Sequence, residues 1–241
     1  MSTEPRCLYL LCGLLCDEVV WQAQAAALRA RYDVRVVSFE DQDSIGGMAA
    51  KVLADAPPRF ALAGHSMGGR VALEVCRLAP GRVERLALLD TGYEGVSDGE
   101  AGRRAVLVDR ALDEGIDTVA RAWALPMLAP AHRRDAALVA TIVAMVGRMS
   151  GQIYDGQTRA LLARPDATAL LGQIACPTLV LCGQQDGWSP PERHRDMARL
   201  IPHSLLRLID DCGHMSMMEQ PAAVLAALDE WLLMPPSGRE P

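Results

Sequence analysis

Residues 60–73 read Phe60-Ala61-Leu62-Ala63-Gly64-His65-Ser66-Met67-Gly68-Gly69-Arg70-Val71-Ala72-Leu73. A short run, apolar enough for a buried strand, meets a Gly-x-Ser-x-Gly turn. It passes at once into helical spacing, with Val71, Val75 and Ala79 four apart. A turn this sharp holds its serine in strained backbone, with the hydroxyl standing clear of the sheet. Gly64 and Gly68 supply the missing side chains where strand and helix backbones close on one another. The plain alternative is a glycine-rich βα turn without chemistry. The strand before it and the helix after it favour a reactive serine.

Outward from this stretch the chain alternates strand and helix. Toward the N-terminus lie strands at Cys7–Cys12 and Val34–Phe39, with Asp17 and Ser44 placed to cap the helices that follow. Pro57-Pro58 stops the second of these helices, and Val83–Leu89 is the strand after the serine helix. Near-continuous apolar strands of this kind predict a parallel sheet covered on both faces. From Gly92 to Gln173 strand-like runs vanish, and helices are expected at 98–114, 117–125, 132–147 and 151–163. The alternation then resumes with a strand at Thr178–Cys182, a helix from Pro190-Pro191 to Leu200, a strand at Leu205–Ile209 and a helix opened by Pro221. The expected fold is therefore α/β, a mostly parallel central sheet of about six strands flanked by helices, with a helical cap inserted between strands. The core takes residues 1–91 and 174–236, the cap 92–173, and a tail at 237–241 is expected to be disordered.

Composition narrows the classes of function. The chain has 241 residues, a formal net charge of −6 and a sequence pI of about 5.4, so no basic surface invites nucleic acid or anionic lipid. No apolar run approaches the roughly 20 residues of a spanning helix, and no membrane partner is expected. Residues 7–16 look like a signal-peptide core, but Glu4 precedes them and Asp17-Glu18 follows where a cleavage site would lie, so they read as a buried strand. The seven cysteines show no Cys-x-x-Cys and sit mostly in apolar segments, as free thiols do in a reducing cytoplasm. With no asparagine in the chain, N-glycosylation is excluded.

A serine hydroxyl is a poor nucleophile at neutral pH and needs a base, itself oriented by an acid. Asp186 follows the strand Leu179–Gly183, and His214 follows Leu206–Ile209 directly before the last helix. Ser66 as nucleophile, His214 as base and Asp186 as its orienting acid complete the set, with Asp90 the alternative acid because it also ends a core strand. Two backbone N–H groups must receive the oxyanion: Met67 after the serine, and Leu14, with Leu15 second, from the loop after the first strand. Nothing in this chemistry requires a cofactor or a metal, and the rate is expected to rise as His214 loses its proton near pH ~6–7.

These motifs resemble those of the α/β-hydrolase family, in particular its compact, capped esterases. The resemblance rests on Gly64–Gly69, Pro177–Asp186, Gly213-His214, Glu219-Gln220-Pro221 and Arg164-Pro165-Asp166, which would lead the chain from cap to sheet. It covers nearly the whole chain and implies the same Ser66, Asp186 and His214 roles. Two departures stand out. Cys12-Gly13 replaces the usual His-Gly, removing a histidine that braces the oxyanion loop, and the family's initial antiparallel hairpin is missing.

Leu15, Trp123, Met127, Met145, Trp188 and Met215 are the expected substrate pocket, since flexible thioethers and aromatics make a deformable apolar wall. The expected reaction is hydrolysis of small to medium apolar carboxylic esters through an acyl-enzyme, with a small-molecule ester as partner. Thioesters, lactones, or a methyl ester on a carrier protein read by arginines such as Arg103, Arg104, Arg110, Arg121, Arg133 and Arg134 are the alternatives. A ligand sensor that turns over slowly is the rival outside enzymology.

Overall fold

In the computed structural model, residues 7–235 are described; the tail at 237–241 lies outside them. Six strands form one sheet in the order β2-β1-β3-β4-β5-β6, every neighbouring pair parallel. They are β1 (Cys7–Leu11), β2 (Asp33–Val37), β3 (Phe60–His65), β4 (Val83–Leu89), β5 (Thr178–Gly183) and β6 (Ser204–Ile209). Every residue of β1, β3 and β5 is buried. Since successive side chains point to opposite faces, helices must cover both sides. The edge strands β2 and β6 are only partly buried.

The covering helices follow from local chemistry. Asp17 accepts from Val19 N–H at 3.0 Å and opens a 3₁₀ turn at Glu18–Trp21, which runs into α1 (Gln22–Leu28). Ser44 Oγ accepts from Gly47 N–H at 3.2 Å and starts α2 (Ile45–Asp55); α3 (Met67–Leu78) springs from Ser66. Between β4 and β5 lie α4 (Glu100–Glu114), α5 (Asp117–Ala124), α6 (Ala136–Gly147), α7 (Gly151–Leu162) and the short α8 (Thr168–Leu171). The expected helix 132–147 divides because Asp135 accepts from Ala137 and Leu138 N–H, capping a fresh start. After β5 come α9 (Pro191–Leu200), α10 (Ser216–Glu219) and α11 (Pro221–Leu233). Among the described residues, no single helix is long and apolar enough to cross a membrane.

The inserted helices are tied at both ends by one cluster. Arg164 bonds both carboxylate oxygens of Glu100 (2.8 and 2.7 Å) and the carbonyls of Glu94 and Gly95. Asp166 accepts from Gly95 N–H at 3.1 Å. The segment's exit is thereby fastened to its entrance, which is the physical content of the Arg164-Pro165-Asp166 motif.

Strand order reverses between β1 and β3, so the chain leaves their carboxyl ends toward opposite faces of the sheet, with a crevice between the two connections. Leu14 follows β1 and Ser66 follows β3, one on each side of that crevice.

Candidate active site

Ser66 has φ 52° and ψ −114°, a strained conformation for a residue with a side chain. Close packing enforces it. A Cβ on Gly64 would lie 2.3 Å from the carbonyl oxygen of Gly68, and one on Gly68 would lie 2.4 Å from that of Leu11. The turn is thus wedged between β1 and its own helix, and Ser66 Oγ projects into a cleft at the carboxyl edge of the sheet.

Three side chains from three strand ends meet there. His214 Nε2 is 2.9 Å from Ser66 Oγ, and His214 Nδ1 is 2.8 Å from Asp186 Oδ2. The other oxygen of Asp186 accepts from Trp188 N–H (2.8 Å) and Ser189 N–H (2.9 Å). Burial would raise the Asp186 pKa, but His214 and these two donors outweigh it and hold the carboxyl below its usual range. Burial would likewise lower the His214 pKa. Asp186, with Asp90 and Glu219 farther off, reverses this and keeps the imidazole above its ordinary value. The arrangement therefore fixes Nδ1 as the protonated nitrogen facing Asp186 and leaves Nε2 to accept a proton from Ser66.

Asp90 occupies the neighbouring strand end and makes different bonds. Its Oδ1 accepts from Gly183 N–H at 3.0 Å, and its Oδ2 accepts from Ser216 Oγ. Burial first, then the nearby Asp186, pushes its pKa well above the carboxylate range. Asp90, Cys182 and Asp186 bring potential metal ligands within 4.8 Å of one another. Those atoms are already engaged: Cys182 Sγ donates to the carbonyls of Gly183 and Ser189, and the two aspartates bond as described.

The loop that follows β6 is held by Glu219. Its Oε1 accepts from Gly213 N–H (3.0 Å) and Met215 N–H (3.1 Å), the residues on either side of His214. Its Oε2 accepts from Ala129 N–H at 2.8 Å and faces His132 Nδ1 at 2.9 Å. One buried carboxylate therefore joins the histidine loop to the inserted segment, and Met127 O accepts from His214 N–H at 2.7 Å to reinforce the joint. His65, which precedes the serine, is buried neutral and sits with Nε2 2.9 Å from His214 O; desolvation drops its pKa to about 3.

On the oxyanion side, Leu14 and Met67 both line the cleft, and neither N–H meets an acceptor among the described residues. Leu15 is corrected on both counts. Its N–H donates to Gln157 Oε1 at 2.8 Å and its side chain is fully buried, so it neither offers a donor nor lines the cleft. Gln157, on α7, also donates from Nε2 to Phe39 O at 3.0 Å. It thereby ties the loop after β1 to α7 and to Phe39. No local pattern betrays this role, because the contact spans 142 positions.

Trp123, Met127, Trp188 and Met215 line the cleft. Trp188 is 44% exposed at its mouth, with its ring centroid 6.5 Å from that of His214. Met145 does not reach it: it is fully buried among the inserted helices. Arg70, Arg104 and Arg193 also line the cleft and make it more polar than the sequence suggested.

Known proteins resemble this chain in sequence and in fold. A family model described as the Alpha/beta hydrolase family matches residues 10–228. A pimeloyl-[acyl-carrier protein] methyl ester esterase from Photobacterium profundum is 29% identical over 239 residues, covering 93% of this chain and 94% of the relative. Among solved structures, a thermophilic esterase from Thermogutta terrifontis in its malate-bound form superposes with a TM-score of 0.84 at 30% identity, over 94% of this chain and 89% of that one. The enol-lactonase from Burkholderia xenovorans gives a TM-score of 0.84 at 24% identity, over 97% and 94%, a likeness of fold alone. By its sequence over residues 10–228 and by its fold, the chain belongs to the α/β-hydrolase family.

Proposed function

We propose that this protein is a carboxylic ester hydrolase working through an acyl-enzyme on Ser66. The hydrogen-bonded line from Ser66 Oγ through His214 to Asp186, opening on a cleft, carries this reading, and the esterases among its relatives support it. As Ser66 Oγ attacks the ester carbonyl, His214 Nε2 takes its proton. Asp186, itself remaining ionised, stabilises the imidazolium. Charge on the carbonyl oxygen is received by the N–H groups of Leu14 and Met67, which have no other partner to give up. His214 returns the proton to the departing alcohol; water then enters by the same route and releases the acid. The inserted segment 92–173 serves as the cap, supplying Trp123 and Met127 to the wall and Gln157 to the oxyanion loop.

A methyl ester borne on a carrier protein is the second reading, favoured by the relatives named for that substrate. Arg121 and Arg134 are exposed on the inserted segment and make no ion pair among the described residues, as a carrier-facing surface would require.

Stoichiometric labelling of Ser66 by a fluorophosphonate, with steady release of product from a p-nitrophenyl ester over many turnovers, is the expected result. A single burst of one equivalent without continued turnover would instead favour a ligand sensor. Ser66→Ala is expected to lower kcat by roughly 10⁴- to 10⁶-fold, and His214→Ala by a similar factor.

A further inference from the structure

Arg70 is a cation in the cleft that the ester chemistry leaves unused. It lies four residues past Ser66, roughly 6 Å along α3. Its side chain lines the cleft over the serine and also a second cavity walled by Leu73, Tyr93, Arg164 and Leu170. A guanidinium carries five N–H donors; among the described residues this one makes a single hydrogen bond, from Nη1 to Glu94 O at 2.7 Å.

No carboxylate among the described residues lies within ion-pair distance of Arg70, because the nearby acids are already taken. Glu94 pairs with Arg193 at 3.0 Å, Glu100 lies between Arg164 (2.7 Å) and Arg104 (2.9 Å), and Asp166 accepts from Gly95 and Thr168 N–H. Arg70, Arg104, Arg164 and Arg193 thus outnumber Glu94, Glu100 and Asp166, and Arg70 is the one of these four arginines without an ion pair among the described residues. Burial and the neighbouring Arg164 push its pKa down to about 9, so it is still a cation at pH 7. A half-buried charge without a partner is costly unless a ligand pairs with it. A second donor points the same way: the indole N–H of Trp123, a cleft residue, is buried with no acceptor.

We propose that Arg70 anchors a second, anionic group of the substrate, a carboxylate or phosphate carried a few carbons from the ester cleaved at Ser66. Arg104 and Arg193 flank it at the cleft wall, each already held by an acid and so fixed in place. The planar fork of Arg70 suits two oxygens of one anion. This inference rests on the ester-hydrolase reading and narrows it, from neutral apolar esters to esters that bear a charge.

The test compares methyl esters of one chain length ending in a methyl group, a carboxylate or a phosphate, in a series of four to eight carbons. The wild-type enzyme is expected to favour an anionic ester over the neutral one by about 10-fold or more in kcat/KM, and the better of the two anions identifies the group. Arg70→Gln should bring that ratio near one, mainly through KM, and Arg70→Lys should restore part of it as a point charge without the fork. Hydrolysis of the neutral ester at an equal or better rate overturns the anion subsite and leaves the ester reading intact; failure to hydrolyse any of the three overturns the ester reading. Equal loss on all esters in Arg70→Gln would make Arg70 a packing residue and overturn the subsite. Should Arg70→Gln not fold, competitive inhibition of the wild type decides: linear carboxylates should bind about 10-fold tighter than the matching amides, and equal inhibition contradicts the proposal.

Discussion

At the carboxyl end of β4 the chain turns at Asp90, and at the carboxyl end of the adjacent β5 it turns at Asp186. Both carboxyls are buried, and their oxygens lie within 4.8 Å of each other with Cys182 between the same walls. Asp186 meets the His214 imidazole and two backbone N–H groups, and is held ionised. Asp90 meets one N–H and one hydroxyl, and its pKa is pushed up by burial and by Asp186. Two carboxylates this close in a buried site disfavour each other's charge, and the one that faces the imidazole and has more donors ionises more readily. Position at a strand end therefore nominates an acid, while its hydrogen-bond partners decide which acid is ionised.

The largest effect expected from this contrast is on Asp186. Changing it to Asn should lower kcat by about 10⁴-fold by favouring the wrong tautomer of His214. Unchanged activity, measured as ester turnover, would break the assignment.

Next comes the pH profile. His214 must be neutral to take a proton, and its neighbouring carboxylates favour the imidazolium, so higher pH is needed to free it. The acidic limb of kcat/KM should have its inflection above about 6.5, the ordinary histidine value, which revises upward the sequence-based expectation of about 6–7. In Asp186→Asn the limb should move to lower pH. An unmoved limb would show that Asp186 does not face the base.

Asp90→Asn should change kcat/KM by less than about 10-fold, because Asp90 bonds Gly183 N–H and Ser216 Oγ and not His214. A loss as deep as that of Asp186→Asn would exchange the two roles.

The smallest effect is on stability. An acid whose folded pKa is raised binds its proton more tightly when folded, so above the unfolded pKa of about 4 it costs stability as pH rises. The Tm of Asp90→Asn relative to wild type should therefore increase between pH 4 and pH 8. A difference of ~1 kcal/mol would read as roughly 2–4 °C at this size, and a pH-independent difference would mean that the Asp90 pKa is not raised on folding.

Much of this was legible in the sequence for a physical reason. A doubly covered parallel sheet demands apolar runs, and those read at Cys7–Cys12, Arg59–Ala63 and Thr178–Cys182 lie within one or two residues of the strands found. The serine turn was legible because Gly64 and Gly68 tolerate no side chain where the backbones touch. What escaped depends on partners distant in the chain. Leu14 and Leu15 are equivalent as letters, and only Gln157, reaching from α7, removes one of them from the oxyanion side. Met145 has the same chemistry as Met127, yet its helix turns it into the interior. Glu219 belongs to a recognisable motif, but its work as a clamp on the histidine loop appears only when Gly213, Met215 and Ala129 converge on it. Arg70 carries no sequence signal of its own, and its position matters only because Glu94 and Glu100 around it pair with other arginines.

The central claim is that Ser66 is acylated during turnover, and acid quenching of the enzyme with a slow ester tests it directly. Mass spectrometry of the digested protein should find the acyl group on Ser66 alone, and none in Ser66→Ala. Turnover that continues in Ser66→Ala, or an acyl group carried by another residue, would contradict it.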